Sequence, residues 1–522
     1  MNDALIESLR DPGCYDHPVS RVEVCETHIS WILLTGDYAY KIKKPLDFGG
    51  FLDFSSLERR HRFCDQEVRL NRRLAPNLYL AAVPISGTPR SPRVGDAGAP
   101  IEYAVKMRQF SNRQLLSNLQ RSGELSLELI DDLTEQLVIF HEQVARVDES
   151  STLGSADATR GLLAREFALI MARLPDEEDR QRLQSLALRA EEMHARLYTT
   201  FEQRHHDGFV REAHGDIHLG NAVCYEGRVL MFDGIEFNEE LRCCDVSCDL
   251  ACLLMDLEAR GEMAFSRHAL NHYLELSGDY ELVRVLGYYK LYHAVVRAKV
   301  AMLRYHQPEL ANDRRQAIHD EFRHFLALAE EYAEFRFPYL VIGVGVSGSG
   351  KSRFTGEMVR RLGSVRLRSD VERKRLHGFS PQADSRQQGV DIYTPGTTRL
   401  TYRHLAKLTG ILLESGLPVC IDATCLKREQ RELLSQQAEA RGLPVLMVSF
   451  EADDATLRTR IEKRARRVGD PAEASLAVLE RQLAQRDPFA DDERRQLVHL
   501  DTTAHNAGET LVELIRQHLR LT

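Results

Sequence analysis

The apolar positions near the start of the chain follow the alternating spacing of β-strands. Residues 22–29 alternate loosely between apolar and polar, and residues 38–43 (Tyr-Ala-Tyr-Lys-Ile-Lys) alternate clearly. Residues 55–74 contain neither Gly nor Pro and open with Ser-Ser-Leu-Glu, which predicts a capped helix. Residues 101–105 predict a further strand. We therefore expect residues 1–115 to form a first region built from strands and one helix.

Between residues 116 and 335 the apolar positions recur at helical spacing instead. Further helical stretches run from about residue 162 to 204 and from residue 245 to about 332. This pattern predicts a mostly helical second region over residues 116–335. Its clearest apolar stripe consists of Leu127, Ile130, Leu133, Leu137, Phe140 and Val144.

Short apolar runs return after Phe337-Pro338, and helical stretches separate them. Strands that alternate with helices predict a parallel sheet covered by helices. We expect an α/β domain over residues 336–522, in a multidomain chain that is α+β before it. The predicted strand runs are residues 339–344, 365–370, 418–424 and 445–450.

Composition narrows the class of protein. A chain of 522 residues exceeds what one hydrophobic core supports, so two or three domains are expected. It is 43% hydrophobic and 28% charged, and its net charge of −9 does not favour binding of nucleic acid by the whole chain. The sequence shows neither a signal peptide nor an apolar run of the ~20 residues that a membrane helix needs. We expect a cytoplasmic enzyme without a membrane partner.

Four of the ten cysteines lie close together in the helical region: Cys243, Cys244, Cys248 and Cys252. A metal site is one interpretation of this spacing. It lacks a C-x-x-C pair and a matching histidine spacing, however. Packing as small apolar side chains is therefore the favoured interpretation.

The stretch His-Gly-Asp-Ile-His-Leu-Gly-Asn, residues 214–221, is the first candidate for chemistry. Phosphoryl transfer from ATP needs a carboxylate beside the attacking hydroxyl and oxygen ligands for Mg²⁺. Asp216 can supply the carboxylate, and Asn221 and the later Asp233 can supply metal ligands at the separation that kinases use. The alternative is a polar loop in which Asp216 and Asn221 only cap turns, but it does not explain Asp233.

A kinase site also needs a strand lysine that holds the α- and β-phosphates and a helix glutamate that orients it. Lys41 and Lys43 share one face of a predicted strand, and an A-x-K pattern favours Lys41. Glu67 in the following helix is the candidate partner, with a solvated surface glutamate as the alternative. No G-x-G-x-x-G loop precedes this strand, and residues 26–30 (Glu-Thr-His-Ile-Ser) occupy its place.

The most specific signal in the chain is G-x-x-x-x-G-K-S between an apolar strand and a helix, the setting that a P-loop requires. In such a loop backbone N–H groups wrap phosphate, the lysine reaches the β- and γ-phosphates, and the serine binds Mg²⁺. Ser352 is therefore also a predicted metal ligand. The predicted ATP-binding residues are Gly345, Val346, Ser347, Gly348, Ser349, Gly350, Lys351 and Ser352.

The His-Gly-Asp loop, the later Asp233 and an Asp-Leu-Ala helix start at Asp249 resemble the aminoglycoside phosphotransferase family over about residues 15 to 335. The resemblance implies a two-lobed protein-kinase-like fold, with the small lobe before residue 116 and the helical large lobe after it. It also implies that Asp216 is the catalytic base, that Asn221 and Asp233 hold Mg²⁺, and that Asp249 is a buried brace of the loop. Members of this family phosphorylate many hydroxylated small molecules, so the family name does not identify the substrate.

Two acids follow predicted strands in the C-terminal region. Asp422 is the candidate metal carboxylate of the P-loop site. Together with the P-loop and the strand that ends at Asp370, it resembles the small P-loop kinases of the gluconate kinase and zeta-toxin type, often labelled AAA-like. That resemblance implies that Asp370 and Arg373 hold the acceptor and remove its proton.

Six basic residues fall between residues 458 and 467. Small P-loop kinases carry a lid whose arginines close on the transferring phosphate, and by this resemblance Arg464 and Arg467 are the candidates. A solvated face or an RNA-binding face is the alternative.

The order of the two modules resembles that of bacterial proteins in which an aminoglycoside phosphotransferase-like domain is fused to an ATP-binding domain. The leading hypothesis is an ATP- and Mg²⁺-dependent bifunctional phosphotransferase that acts on hydroxylated small molecules. In a second hypothesis one module is a regulatory ATP-binding or ATP-hydrolysing domain. In a third, the basic run serves a nucleotide or nucleic-acid kinase. The sequence names neither acceptor, and it gives neither the coupling between the sites nor the oligomeric state.

Overall fold

The computed structural model describes residues 2–49, 52–307, 310–383, 390–464 and 475–520. The chain forms two compact units. The first unit consists of Met1–Leu183 and His194–Asp256, and the second of Gln184–Met193 and Leu257–Thr522.

The first unit contains a six-stranded antiparallel sheet. Its strands are β1 (Glu23–Glu26), β2 (Ser30–Leu34), β3 (Tyr38–Lys43), β4 (Tyr79–Thr88), β5 (Ser91–Val94) and β6 (Pro100–Arg108). In the order β1-β2-β3-β6-β4-β5, the strand β3 is paired on both edges. Tyr40 and Ile42 on one face of β3 are buried in a core with Leu33 and Ala104. Because strand side chains alternate, Lys41 and Lys43 lie on the opposite face.

The predicted strand over residues 22–29 is shorter than expected, because a tight turn ends it. Thr27 Oγ1 donates to the carbonyl of Ser30 at 3.1 Å and accepts from its N–H at 3.0 Å. These bonds reverse the chain between β1 and β2 and place the second strand directly beside β3.

Two helices complete this part of the first unit, α1 (Asn2–Ser8) and α2 (Leu57–Asn71). Helix α2 begins where the sequence predicts a cap, since Ser56 Oγ accepts from Arg59 N at 3.2 Å. The buried face of α2 carries Cys64, Glu67 and Val68. Glu67 is therefore a core residue of this helix and not a solvated one.

The rest of the first unit is mostly helical, as predicted. Its helices are α3 (Leu116–Arg121), α4 (Leu127–Gln143), α5 (Ala156–Met171), most of α6 (Glu177–His206), α7 (Glu239–Arg242) and most of α8 (Val246–Ala259). Gln184–Met193 of α6 and the end of α8 after Asp256 are assigned to the second unit. Two antiparallel strand pairs lie among them, β7 (Val210–Glu212) with β10 (Cys243–Asp245) and β8 (Ala222–Tyr225) with β9 (Arg228–Met231). The β8–β9 hairpin separates the loop at residues 214–221 from Asp233, so these segments lie at the two ends of one hairpin.

The second unit combines three helices with a parallel sheet and its covering helices. The three helices are α9 (Met263–Ser277), α10 (Val283–Tyr305) and α11 (Asn312–Tyr332). The sheet strands are β11 (Leu340–Val344), β12 (Val365–Arg368), β13 (Val419–Asp422), β14 (Val445–Glu451) and β15 (Leu497–Asp501). The covering helices are α12 (Lys351–Leu362), α13 (Ser369–Leu376), α14 (Pro395–Glu414), α15 (Arg428–Glu439), α16 (Asp454–Arg464), α17 (Leu476–Ala484) and α18 (Ala507–Leu519).

The parallel sheet has the order β12-β13-β11-β14-β15, with β11 in the middle. All five residues of β11 are buried, as its continuous apolar run predicts. The chain leaves β11 for β12 at one edge of the sheet, returns to β13, and then crosses β11 to reach β14 on the other side. This reversal of strand order is the switch point where α/β sheets bind ligands. The loop after β11 is the predicted P-loop.

Helix α9 packs against α12 and β12 in the second unit. Its Asn271 Oδ1 accepts from Arg366 N at 2.7 Å, and Arg267 donates to the carbonyls of Arg360 and Arg361 at 3.1 Å. The compact units therefore divide the chain after Asp256. The division into regions 1–115, 116–335 and 336–522 stays a prediction.

The predicted fold class is confirmed. The first unit joins a lobe of antiparallel strands and two helices to a helical lobe, the organisation of protein kinases. The second unit ends in a P-loop domain with a parallel sheet.

Candidate active sites

Lys41 on β3 connects α2 with the segment that follows β9. Its Nζ donates to Glu67 Oε1 at 2.8 Å and to Asp233 Oδ1 at 2.5 Å. Burial alone would raise the pKa of Glu67, but the charges of Lys41 and Lys43 outweigh burial and lower the pKa to about 2. Glu67 is therefore ionised at neutral pH and able to orient the lysine. The structure brings together three residues that the sequence proposes separately.

Lys43 uses the second oxygen of the same carboxylate. Its Nζ donates to Glu67 Oε2 at 2.6 Å and also contacts Glu236. The side chain of Lys43 is fully buried, with its Nζ 4.9 Å from the centre of the Phe54 ring. The position of Lys43 is therefore internal, whereas Lys41 reaches the partly exposed Asp233.

Asp233 has a left-handed backbone, with φ of +62°. This conformation costs a non-glycine residue about 1–2 kcal/mol. Hydrogen bonds on both sides hold it, from Asp233 N to Tyr79 Oη at 3.2 Å and from Gly234 N to Asn71 Oδ1 at 2.8 Å. The carboxylate beyond this turn is 42% exposed, so it remains open to a ligand.

A buried carboxylate fixes the start of the 214–221 loop. Asp249, fully buried on α8, accepts from His214 N at 2.9 Å and from Gly215 N at 2.8 Å, and His141 Nε2 donates to it at 3.2 Å. Burial raises the pKa of Asp249, but the His141 hydrogen bond and the nearby charges outweigh it and lower the pKa. The loop is thus tied to a rigid helix.

The His214 ring joins the loop to the segment before Asp233. Its Nε2 donates to the Phe232 carbonyl at 3.0 Å, and its Nδ1 accepts from Asp216 N at 3.3 Å. Burial lowers the pKa of His214, so the ring is neutral at pH 7. One imidazole therefore sets the spacing between the two acidic segments.

Asp216 has a 39% exposed side chain with two neighbours that the sequence does not connect with it. Gly220 N donates to His218 Nδ1 at 3.0 Å, so a neutral His218 ring carries its proton on Nε2. This Nε2 lies 3.5 Å from Asp216 Oδ2, and Cys252 Sγ lies 3.8 Å from Oδ1. Asn221 Nδ2 donates to the Asp216 carbonyl at 3.1 Å, which directs its amide oxygen to other ligands.

The loop between β1 and β2 lies where a kinase carries its glycine-rich loop. Besides the Thr27–Ser30 bonds, Lys44 Nζ donates to the Thr27 carbonyl and to Glu26 Oε1, each at 2.6 Å. The loop is therefore held by its own side chains and by the end of β3.

These residues fit ATP and Mg²⁺ in chemical terms. Mg²⁺ sites in kinases combine one or two protein oxygens with phosphate oxygens and water. Asn221 and Asp233 offer an amide oxygen and a carboxylate, and Lys41 offers a cation that is already oriented. Their predicted roles stay predictions.

The P-loop follows β11 and opens α12. Lys351 Nζ donates to the carbonyls of Gly345 at 2.7 Å and Val346 at 3.0 Å, so the cation rests on the loop itself. Ser347 N donates to Gln482 Oε1 at 2.8 Å. Phosphate binding would replace these contacts with contacts to the ligand.

Two glycines of this loop have backbones that other residues rarely adopt. Gly348 has φ of +84° and Gly350 has φ of +97°. A Cβ on Gly348 would lie 2.9 Å from the Leu457 carbonyl. The loop therefore needs these glycines for its shape as well as for close approach to phosphate.

Asp422 ends β13 beside the P-loop and is 7% exposed. Its Oδ2 lies 3.6 Å from Arg368 Nε, and within the described ranges no hydrogen bond reaches this oxygen. Asp370 belongs to the first turn of α13 rather than to a strand end. Burial raises the pKa of Asp370, although Arg373 and Arg368 oppose the rise. A raised pKa suits a proton acceptor.

Arg373 makes its side-chain hydrogen bonds with residues other than Asp370. Its Nη1 donates to Thr398 Oγ1 at 3.1 Å and to the Ile392 carbonyl at 3.3 Å. Its guanidinium lies 5.0 Å from the centre of the Tyr393 ring, and among the described residues its buried Nε has no hydrogen-bond partner. Arg373 thus lies near Asp370 but is oriented by α14 and the segment before it.

The predicted lid arginines cannot be placed. Arg464 ends α16, but its side chain, like the whole of Arg467, lies outside the described residues. Arg460 from the same basic run contacts the P-loop region, with Nη1 3.3 Å from the Gly348 carbonyl and 2.9 Å from Thr502 Oγ1. The role of Arg464 and Arg467 as lid residues stays a prediction.

The second site also fits ATP and Mg²⁺. A glycine-rich loop before a helix offers backbone N–H groups and a lysine to phosphate, and Ser352 and Asp422 offer oxygens to a metal. No described group of three or more His, Cys, Asp or Glu side chains could hold a metal by itself. Both candidate sites therefore need phosphate oxygens to complete a Mg²⁺ shell.

Cys243, Cys244, Cys248 and Cys252 are all buried, as packing requires.

Several contacting residues were not named as candidates from the sequence: Glu236, His218, Gln482 and Tyr79. The sequence does single out Arg460, as one of the six basic residues between 458 and 467. Glu236 and His218 lie within three residues of named candidates, so closeness in sequence is the signal by which they could have been found. Gln482 and Tyr79 come from distant segments, and only the folded chain brings them to the sites.

In the part of the chain that the structure describes, every helix is too short or too polar to cross a membrane.

One match to known proteins covers the C-terminal region alone, and another covers nearly the whole chain. Residues 340–489 match the family described as "AAA domain", so the C-terminal region is a P-loop domain of this type. An uncharacterized protein of Mycobacterium tuberculosis is 28% identical over 483 residues, which cover 90% of this chain and 93% of that protein. This similarity therefore extends through both regions.

Two solved structures show weaker likeness. An amicoumacin kinase, in complex with AMP-PNP, Ca²⁺ and Ami, is 11% identical, covers 62% of this chain and 93% of its own, and has a TM-score of 0.40. A gluconokinase from Sinorhizobium meliloti 1021 is 20% identical, covers 35% of this chain and 91% of its own, and has a TM-score of 0.26.

Proposed function

We propose that this chain is an ATP- and Mg²⁺-dependent phosphotransferase with two nucleotide sites, each of which transfers a γ-phosphoryl group to a hydroxyl group of a small molecule. The observation that carries the proposal is the position of Lys41 Nζ between Glu67 and Asp233. A strand, a helix and the end of a hairpin meet at this cation. An ion pair on the phosphate-binding lysine beside an exposed carboxylate is what phosphoryl transfer requires.

In the first site the side chains position the reacting groups and transfer a proton. Asp216 accepts the proton of the attacking hydroxyl group as that oxygen bonds to the γ-phosphorus and the bond to ADP breaks. The exposed carboxylate of Asp216 is accessible to an acceptor, and His218 Nε2 lies 3.5 Å from its Oδ2. Mg²⁺ at Asn221 and Asp233 supplies charge neutralisation for the phosphates.

In the second site Lys351 and the N–H groups of the P-loop bind the phosphates, and Ser352 and Asp422 hold Mg²⁺. Asp370 takes the acceptor proton, because its raised pKa brings it closer to the pH at which a base works best. Arg373 contributes a buried cation near the acceptor, and Arg464 and Arg467 belong to the lid. The AAA domain match supports ATP binding at this site.

The proposal places the activity in the cytoplasm, where ATP is available, and takes hydroxylated metabolites as acceptors. It is tested by incubating the full chain with ATP, Mg²⁺ and a metabolite extract and searching for new phosphorylated compounds by mass spectrometry. The matched control is the double variant Asp216→Asn/Lys351→Ala.

The parent should produce phosphorylated compounds that the double variant does not. If the parent only releases inorganic phosphate, the regulatory ATPase hypothesis replaces the present one. If parent and double variant form the same products at the same rate, both site assignments are wrong.

A further inference from the structure

A buried carboxylate from outside the P-loop fold lies in the ion-pair network of the second site. Glu275, on α9, is 8% exposed. Arg366 Nε donates to its Oε1 at 3.0 Å, and Asn271 Nδ2 donates to the same oxygen at 3.1 Å. Arg368 Nη1 lies 3.7 Å from its Oε2. Arg366 and Arg368 are two residues apart on β12, so both point to the face that α9 covers.

Arg368 also faces the site itself. Strands β12 and β13 are paired so that Arg368 is opposite Asp422. Arg368 Nε lies 3.6 Å from Asp422 Oδ2, close to its 3.7 Å separation from Glu275. Both distances exceed the ~2.7–3.2 Å of a hydrogen bond. One guanidinium is therefore shared between a carboxylate of α9 and the candidate metal carboxylate.

The charges around Arg368 determine what the loss of Glu275 would do to Asp422. Arg366 and Arg368 carry two positive charges, and Glu275 and Asp422 carry two negative charges. Without Glu275, the partly buried guanidinium groups of Arg366 and Arg368 would face Asp422 and the nearby Asp370. A partly buried ion pair strengthens as the separation shortens, so Arg368 would move onto Asp422. A carboxylate that is hydrogen-bonded to arginine is a weaker partner for a metal ion.

We propose that Glu275 is a positioning residue of the P-loop site, which holds Arg368 short of a hydrogen bond with Asp422 and so keeps that carboxylate available to Mg²⁺. The inference rests on the proposed metal-holding role of Asp422. Under it, α9 is a working part of the second site, although the sequence assigns that helix to the kinase-like region.

The test uses the full chain and equilibrium ATP binding by calorimetry, with Mg²⁺ and with EDTA. Binding at the P-loop site is defined as the part that Lys351→Ala removes. In Glu275→Gln, the Mg²⁺ concentration for half-maximal binding at this site should rise about tenfold, the usual effect of losing a residue that orients a metal ligand. ATP affinity in EDTA should stay within about twofold of the parent, because no phosphate contact is lost.

Rescue distinguishes this role from a structural one. Glu275→Gln/Arg368→Gln should restore the Mg²⁺ requirement of the parent, since no guanidinium then competes for Asp422. Arg368→Gln alone keeps the Glu275–Arg366 pair and should leave the Mg²⁺ requirement equal to or below that of the parent, even if Glu275→Gln does not fold. The matched control is Glu281→Gln, which removes an exposed partner of Arg284 and should change nothing.

Three outcomes would overturn the inference: equal weakening with Mg²⁺ and with EDTA in Glu275→Gln, a double variant no better than the single one, or a higher Mg²⁺ requirement in Arg368→Gln. In these cases the parent still shows Mg²⁺-dependent binding, and the proposed function stands. If Lys351→Ala removes no ATP binding from the parent, the second site itself is wrong and the inference fails with it.

Discussion

Glu67 receives hydrogen bonds from two lysines of one strand, and this arrangement gives them different tasks. Lys41 extends to Asp233 and can turn toward phosphate, whereas Lys43 is enclosed by Glu67, Glu236 and Phe54. Removing one partner of a buried ion pair leaves the other charge uncompensated. Lys43 should therefore matter to stability and Lys41 to nucleotide binding.

We predict that Lys43→Met lowers the free energy of unfolding of the first unit by about 3–5 kcal/mol, because it leaves Glu67 and Glu236 facing each other in the core. Urea denaturation, followed by a signal from the first unit, measures the loss. The control is Lys44→Met, which removes an ion pair with the exposed Glu26 and should cost about 0–1 kcal/mol. Equal losses in the two variants would contradict the internal role of Lys43.

Substitution of Asp216 and of Asp233 should affect turnover and ATP binding differently. Asp216→Asn keeps the size of the side chain but removes the proton acceptor, so kcat should fall by about 100-fold or more while ATP still binds with Mg²⁺. Asp233→Asn removes negative charge from the metal site, so Mg²⁺-dependent ATP binding should weaken as well.

Both variants are compared in the Lys351→Ala background, so that the second site does not contribute to binding or turnover. Calorimetry reports ATP binding, and product formation reports turnover. Full phosphoryl transfer by Asp216→Asn in that background would place the catalytic base elsewhere. A parent without turnover in the same background, and no effect of either change on binding, would indicate a kinase fold used only as a scaffold.

The sequence predicts Lys41, Glu67, Asp216, Asn221 and Asp233 because each belongs to a spacing that phosphoryl transfer imposes. It does not predict their neighbours. Tyr79 reaches the site through tertiary packing, which a linear pattern does not encode. Glu236 lies three residues after Asp233 but belongs to no spacing that phosphoryl transfer imposes. The left-handed backbone of Asp233 was not predicted either, because aspartate carries no glycine-like signal for it.

At the scale of elements, strong periodicity predicted which helices and strands are present better than it predicted the residues at which they begin and end. The helical stripe at Leu127 to Val144 and the buried strand β11 appear where the pattern places them. The run at residues 365–370 divides into a strand and the first turn of α13, because Arg368 already takes the cap position of that helix. Strand β15 was not predicted, since its residues (Leu-Val-His-Leu-Asp) form too short a run to stand out.

Helix α9 should stabilise the C-terminal domain through its contacts with that domain. A fragment of residues 257–522 keeps the contacts of Glu275 with Arg366 and of Tyr280 with Glu372, whereas a fragment of residues 336–522 loses them. The shorter fragment exposes two partly buried arginine side chains, Arg366 and Arg368, and the surface of β12. We expect it to unfold at a lower urea concentration than the longer one. Equal unfolding midpoints would support a domain boundary at residue 336.

At the scale of the whole molecule, the candidate sites use separate sets of residues. Lys41, Glu67, Asp216, Asn221 and Asp233 belong to the first unit. The P-loop, Asp370 and Asp422 belong to the second. Since no candidate residue is shared, silencing one site should leave the chemistry of the other.

This separation is the central claim, and product analysis by site tests it most directly. The parent, Asp216→Asn, Lys351→Ala and the double variant are each incubated with ATP, Mg²⁺ and one metabolite extract, and the phosphorylated products are identified by mass spectrometry. The proposal predicts two sets of products in the parent, one lost in Asp216→Asn, the other lost in Lys351→Ala, and both lost in the double variant. A single set of products that disappears with either change, or a set that survives both, would contradict two independent phosphotransferase sites.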